Sequence, residues 1–113
     1  MTIKEIIYEK QNEVYKTDLM PERATELLRE LSALSGNVNL EIRQTTYKYS
    51  QVLQRERARN ESAIDAKIAA ECSPEWLEKK EAEDLGKLVK ELIASLKYFL
   101  RNLEDERRYS GNL

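Results

Sequence analysis

One stretch near the end of the chain decides the fold: residues 85–103, which read LGKLVKELIASLKYFLRNL. Large apolar side chains recur there every three to four residues, which is the spacing of one face of an α-helix. Ser73 and Pro74 precede the stretch as a helix start, and Gly111 follows it as a stop. The sequence therefore predicts a long helix over about 74–109 with a wide apolar face.

Three further helices are predicted before this one. The first covers about 3–17, and the second covers about 21–35 and ends at Gly36 and Asn37. The third covers about 39–71, because Asn39 can cap it and no glycine or proline interrupts it. A short turn joins this third helix to the last one, so the two should form an antiparallel hairpin.

The composition agrees with an all-α fold. Charged residues make up 35% of the chain, with only three glycines and two prolines, and no alternating pattern typical of strands is sustained. A length of 113 residues predicts one domain over 1–113. Within it, we expect two short helices in 1–36, packed with a long helical hairpin in 37–110.

The residue types exclude several kinds of chemistry. The chain has no histidine, so histidine-dependent triads and histidine-bound zinc are excluded. Its three glycines are isolated and form no phosphate-binding loop. The single Cys72 permits no internal disulfide and is interpreted as a small turn residue. We expect no catalytic residues, no cofactor and no metal, and we expect that the protein is not an enzyme.

The sequence also predicts a cytoplasmic location. Charges occupy the N-terminus where a signal peptide would need an apolar core, and no apolar run reaches the roughly 18 residues of a membrane span.

The register of the predicted hairpin leads to an expected interface. A fold about Ser73 places 85–92 opposite the charged stretch 52–60, which cannot cover a wide apolar face. The short helices before Gly36, a second copy of the chain, or both would have to cover it. We therefore expect a homo-oligomer, with a protein partner of unknown identity, and the expected interface residues are Leu85, Leu88, Val89, Leu92, Ile93 and Leu96.

A basic stretch in the third predicted helix supports a different function, that of a nucleic-acid-associated accessory protein. Residues 43–59 contain a single acid, Glu56, and five basic side chains: Arg43, Lys48, Arg55, Arg57 and Arg59. They could contact phosphates while nearby tyrosines stack on bases. The competing interpretation, which we favour, is that they pair with the acidic stretch 75–84, with Arg59 close to Glu83 and Asp84.

Trp76 is the aromatic residue most suited to an exposed contact. It lies at the predicted tip of the hairpin, where few large apolar side chains are available to cover it.

Residues 85–108 resemble the last helix of small all-helical proteins encoded by bacteriophages, many of which have about this length. The similarity extends over roughly 40–108 and rests on the pattern of leucine, lysine and serine. Such proteins mostly have no assigned activity, so the resemblance implies a helical fold but assigns no functional residue. Our leading interpretation is a non-enzymatic helical protein that self-associates and binds other proteins.

Overall fold

The computed structural model describes residues 1–111, with side chains through Tyr109. It contains four helices: α1 (Ile3–Val14), α2 (Pro21–Arg59), α3 (Ala63–Glu71) and α4 (Pro74–Gly111). No strand occurs within the described residues, so the predicted all-α hairpin fold is confirmed. The predicted domain over 1–113 also includes Asn112 and Leu113, which lie outside them.

The chain divides into two compact units. The first combines Met1–Gly36 with the chain from Lys87 onward, and the second is Asn37–Gly86. Helices α2 and α4 each contribute a segment to both units.

The predicted stop at Gly36 is wrong, because α2 continues through it to Arg59. Neither Gly36 nor any other described glycine has a positive φ, so the left-handed residue that would end the helix is missing. The predicted cap at Asn39 is therefore wrong as well. The reason is an apolar stripe that keeps helical spacing across the glycine: Leu27, Leu31, Leu34, Val38 and Ile42.

The predicted uninterrupted helix over 39–71 is also wrong, because α2 ends at Arg59 and α3 begins at Ala63. The Asn60 side chain donates to the carbonyl of Glu56 at 2.7 Å, and such a bond competes with the helical pattern. Ser62, in an extended conformation, accepts from the amide of Asp65 at 3.1 Å and caps the new helix.

The other helix starts are as predicted. Thr2 caps α1 by accepting from the amide of Glu5 at 3.2 Å, although α1 ends at Val14 rather than near residue 17. Ser73 accepts from the amide of Trp76 at 3.3 Å, and Pro74 is the first residue of α4.

The first unit has an apolar core drawn from all three of its helical segments. Its fully or almost fully buried residues are Ile7, Ala24, Leu27, Leu31, Val89, Leu92 and Leu96. Burying each large side chain stabilises the fold by about 1.5–3 kcal/mol, so this core is the main source of stability in the unit.

The second unit has a smaller core and a close approach between α2 and α4. A Cβ built on Gly86 would lie 2.9 Å from Ile42 Cδ1 and 3.6 Å from Val38 Cγ1. Further along, the Lys79 ammonium lies 5.3 Å from the centre of the Tyr49 ring. The two helices therefore run antiparallel in this unit.

These contacts show that the predicted register was wrong. The sequence placed the residues around Leu85 opposite the charged stretch 52–60, whereas the adjacent Gly86 lies beside Val38 and Ile42. The physical reason is the break after Arg59, which separates α3 from the hairpin and lets the end of α2 approach the start of α4.

An ionic network joins α1 to α2 in the first unit. Arg23 donates to the two carboxylate oxygens of Glu13 at 2.6 and 2.9 Å, and to Glu26 and Glu30 at 3.1 and 3.2 Å. Lys10 donates to Glu30 at 2.5 Å. The hydrogen bonds from Arg23 hold the pKa of Glu13 below its ordinary value of 4.5. The pKa of Glu30 is lowered mainly by the bond from Lys10.

This network predicts a loss of stability in acid. A carboxylate whose pKa is lower in the folded chain contributes fully above the unfolded value of about 4.5 and loses that contribution as the pH falls through the folded value. Because Arg23 and Glu13 are about one-third exposed, solvent screens the pair, and Arg23→Gln should cost only about 1 kcal/mol at neutral pH. Urea unfolding between pH 3 and 6 would measure both effects.

The matched control is Arg29→Gln, which removes the same charge from an exposed position of α2. We expect Arg23→Gln to flatten the dependence of the unfolding free energy on pH below 4.5 and Arg29→Gln to leave it unchanged. An equal response of the two variants would show that general charge balance, rather than this network, causes the dependence.

Candidate interaction surfaces

The outward face of α3 exposes its two large apolar side chains. Ile64 is 73% exposed and Ile68 is 57% exposed, whereas Ala66 and Ala70 are fully buried. A surface helix in a monomer normally has the opposite arrangement, with large apolar side chains inward. We call Ile64 and Ile68 the α3 face.

The helical phase explains this inversion. At 3.6 residues per turn, Ala66 lies on the side of the helix opposite the α3 face. The Ser62 cap fixes where the helix begins, and the alanines then allow α3 to pack with its backbone close to the core. Asp65 and Lys67 are exposed and flank the α3 face on its two sides.

Sequence reasoning did not single out the α3 face. Residues 63–70 lay inside the single helix predicted over about 39–71, so no separate helix with its own exposed face was predicted there. The spacing Ser62-Ala-Ile-Asp65 was a usable signal, because serine followed three residues later by an acid often starts a helix. In a helix that starts after Ser62, Ile64 and Ile68 lie on one side and Ala66 and Ala70 lie on the other.

Most of the residues that were expected to form an interface are buried within the chain itself. Leu85 is 8% exposed, Val89 is 2% exposed, and Leu92 and Leu96 are fully buried. Leu88 and Ile93 are half-buried. The chain itself therefore supplies the cover that the predicted register had assigned in part to a second subunit.

The five basic residues of the predicted nucleic-acid contact are all exposed on the second half of α2. The expected pairing of Arg59 with the acidic stretch is wrong, because the one ion pair of Arg59 within residues 1–109 is with Glu56, at 3.8 Å. Glu83 pairs instead with Lys79 at 2.8 Å and with Lys80 at 3.6 Å. The hydrogen bond from Lys79 holds the pKa of Glu83 below its ordinary value.

Within residues 1–109, no carboxylate lies within ion-pair distance of the other four basic side chains, which are Arg43, Lys48, Arg55 and Arg57. The interpretation that we favoured, neutralisation by 75–84, therefore has no support from the ion pairs in the described part of the chain.

Trp76 and Cys72 lie at the junction of α3 and α4. Trp76 is half-buried, and the Lys80 ammonium lies 5.6 Å from its ring centre, so the ring is partly covered. Cys72 is an exposed free cysteine at the C-terminal cap of α3, in agreement with its interpretation as a turn residue.

Among the described residues, no group of three or more potential ligands is arranged to hold a metal ion. None of the helices in the described part of the chain combines the length and the apolar character needed to cross a membrane.

Comparison with protein-family models, with curated proteins and with solved structures gives no match for this chain. The resemblance to small helical bacteriophage proteins therefore stays a prediction that rests on the residue pattern alone.

Proposed function

We propose that this is a non-enzymatic helical protein that acts by self-association, and that the α3 face is the contact between copies. The observation that carries the proposal is the inversion of α3, in which Ile64 and Ile68 are exposed while Ala66 and Ala70 are buried. Leaving large apolar side chains in water forgoes about 1.5–3 kcal/mol each, and a second copy would recover it. Action in the cytoplasm and a bacteriophage origin are further parts of this proposal.

The flanking charges favour a second copy, aligned parallel. In two parallel helices that meet through Ile64 and Ile68, the side of one helix that carries Asp65 faces the side of the other that carries Lys67. Each Asp65 then faces the Lys67 of the other copy, and both of these pairs are of opposite charge. An antiparallel arrangement would instead bring Asp65 near its own copy, which is unfavourable.

One like-charge contact opposes the association. Glu71 is exposed near the end of the α3 face, and parallel alignment brings its two copies together. We therefore expect a weak, reversible dimer, and Glu71→Gln should strengthen it.

Sedimentation velocity over a range of protein concentrations tests this proposal. We expect the wild type to dimerise in the micromolar range, Glu71→Gln to dimerise at lower concentration, and Ile64→Lys with Ile68→Lys to remain monomeric. The lysines replace exposed side chains, so circular dichroism should show unchanged helix content.

The matched control adds two lysines elsewhere, at Ala33 and Ala94, which are small exposed residues of the first unit. This variant should dimerise as the wild type does. A wild type that stays monomeric at high micromolar concentration would contradict self-association, and equal loss in both lysine variants would remove the α3 face as its site.

A further inference from the structure

A second surface, on α2, has a different chemistry from the α3 face. Between residues 40 and 59, the outward side of α2 carries five exposed basic side chains. The acids of the same segment are Glu41 and the half-buried Glu56, which accepts a hydrogen bond from Asn60 at 3.2 Å. The segment is therefore positive in a chain whose net charge is −2.

Helical geometry sorts these basic residues into two edges. Lys48, Arg55 and Arg59 follow each other at seven and four residues, so they lie along one edge of the helix. Arg43 and Arg57 lie along the other edge. At about 1.5 Å per residue, the first edge extends over roughly 16 Å, which is several phosphates of a nucleic-acid strand.

A neutral strip separates the two edges. It consists of exposed side chains without charge: Leu40, Tyr47, Gln51, Gln54 and Ala58. Tyr47 is 65% exposed, so its ring is available for stacking on a base. Gln51 and Gln54 line an open groove with Lys48 and Arg55, where their amides can donate to and accept from base edges.

We propose that this face of α2 binds a single strand of nucleic acid, with phosphates on the basic edges and bases against the neutral strip. Charge complementarity argues for this ligand, because the basic edges have no competing carboxylates within the described ion pairs except Glu56 at Arg59. The groove also contains one carboxylate, Glu75. The negative excess of the rest of the chain would repel a polyanion elsewhere and so confine it to this face.

Binding of a fluorescent single-stranded oligonucleotide, followed by anisotropy as salt is raised, tests the proposal. The variant Lys48→Gln, Arg55→Gln, Arg59→Gln removes one basic edge. We expect it to weaken binding at low salt by about tenfold or more, and to reduce the slope of log affinity against log salt by about 2, at about 0.7 for each lost contact.

The matched control removes the same three charges from α4, through Lys87→Gln, Lys90→Gln and Lys97→Gln, all exposed. It should bind within about twofold of the wild type, since these lysines lie outside the α2 segment. Equal weakening in both triple variants would overturn the proposal, as would a wild type that does not bind the oligonucleotide at low salt.

Two further measurements distinguish a single strand from a duplex and from an acidic protein. Tyr47→Ala should weaken binding of the single strand and leave a duplex of the same sequence unaffected, because only unpaired bases can stack on the ring. Tighter binding of the duplex would overturn the assignment to a single strand. Equal competition by polyglutamate would assign the face to acidic proteins and overturn the nucleic-acid proposal.

Discussion

Leu92→Ala should lower the free energy of unfolding by about 2–5 kcal/mol, because Leu92 is fully buried in the core of the first unit. Truncation removes the favourable transfer energy of the side chain and leaves a cavity that its neighbours fill only in part. A loss of this size is a large part of the 5–15 kcal/mol that stabilises a typical small protein. Urea unfolding measured by circular dichroism would report it.

Leu40→Ala is the matched control, since Leu40 is 53% exposed and its truncation should change stability by less than about 0.5 kcal/mol. The effect of Leu92→Ala should also be independent of protein concentration. If Leu92 lay between subunits, its truncation would destabilise the protein mainly at concentrations where copies associate. A small or concentration-dependent effect would restore the interface that the sequence had predicted.

Gly86→Leu is expected to destabilise the protein by about 1–3 kcal/mol, in spite of the better helix propensity of leucine. A Cβ at this position would already lie 2.9 Å from Ile42 Cδ1, so the further atoms of leucine must displace the side chains of α2. Thermal and urea unfolding would both detect the change. An unaltered stability would mean that α2 and α4 are less closely packed in the second unit than the Gly86 contacts indicate.

Gly36→Ala is the comparison, because it should change the free energy of unfolding in the opposite direction from Gly86→Leu. Gly36 lies inside α2, and a Cβ built on it has no neighbour within 4 Å. Alanine should therefore raise the free energy of unfolding by about 0.5–1 kcal/mol through helix propensity and a less flexible unfolded chain. A loss of stability would indicate that the helix ends at this glycine after all, as the sequence had suggested.

Local patterns in the sequence predicted the fold class and several helix ends. The starts of α1 and α4 follow from Thr2, Ser73 and Pro74, whose capping roles depend only on residues within one helical turn. The all-α class follows from composition and apolar spacing. These features were reliable because no distant part of the chain is needed to satisfy them.

The two helix boundaries that were wrong depend on competition between local signals. At Gly36, the sequence favoured a stop, but the stripe that continues to Val38 stabilises a helix by more than the roughly 1 kcal/mol that glycine costs. Near Asn60, side-chain bonds and the Ser62 cap outweigh a sequence that contains no glycine or proline.

The prediction of the candidate surfaces depended on these helix boundaries. Because the break after Arg59 was not predicted, the predicted register of the hairpin was wrong. In that register, no apolar segment of the chain lay opposite the apolar face of α4. The same error hid the α3 face, since its phase is set by Ser62. The basic residues of α2 were named from the sequence and are exposed, but their two edges and the neutral strip could be recognised only when exposure was known.

Hydrogen exchange at increasing protein concentration tests most directly whether copies meet through α3 rather than through α4. We expect amides of residues 61–72 to exchange more slowly at high concentration, while those of residues 85–96 exchange at the same rate throughout. Slower exchange in 85–96 with no change in 61–72 would contradict this expectation, and so would exchange that is independent of concentration in both segments.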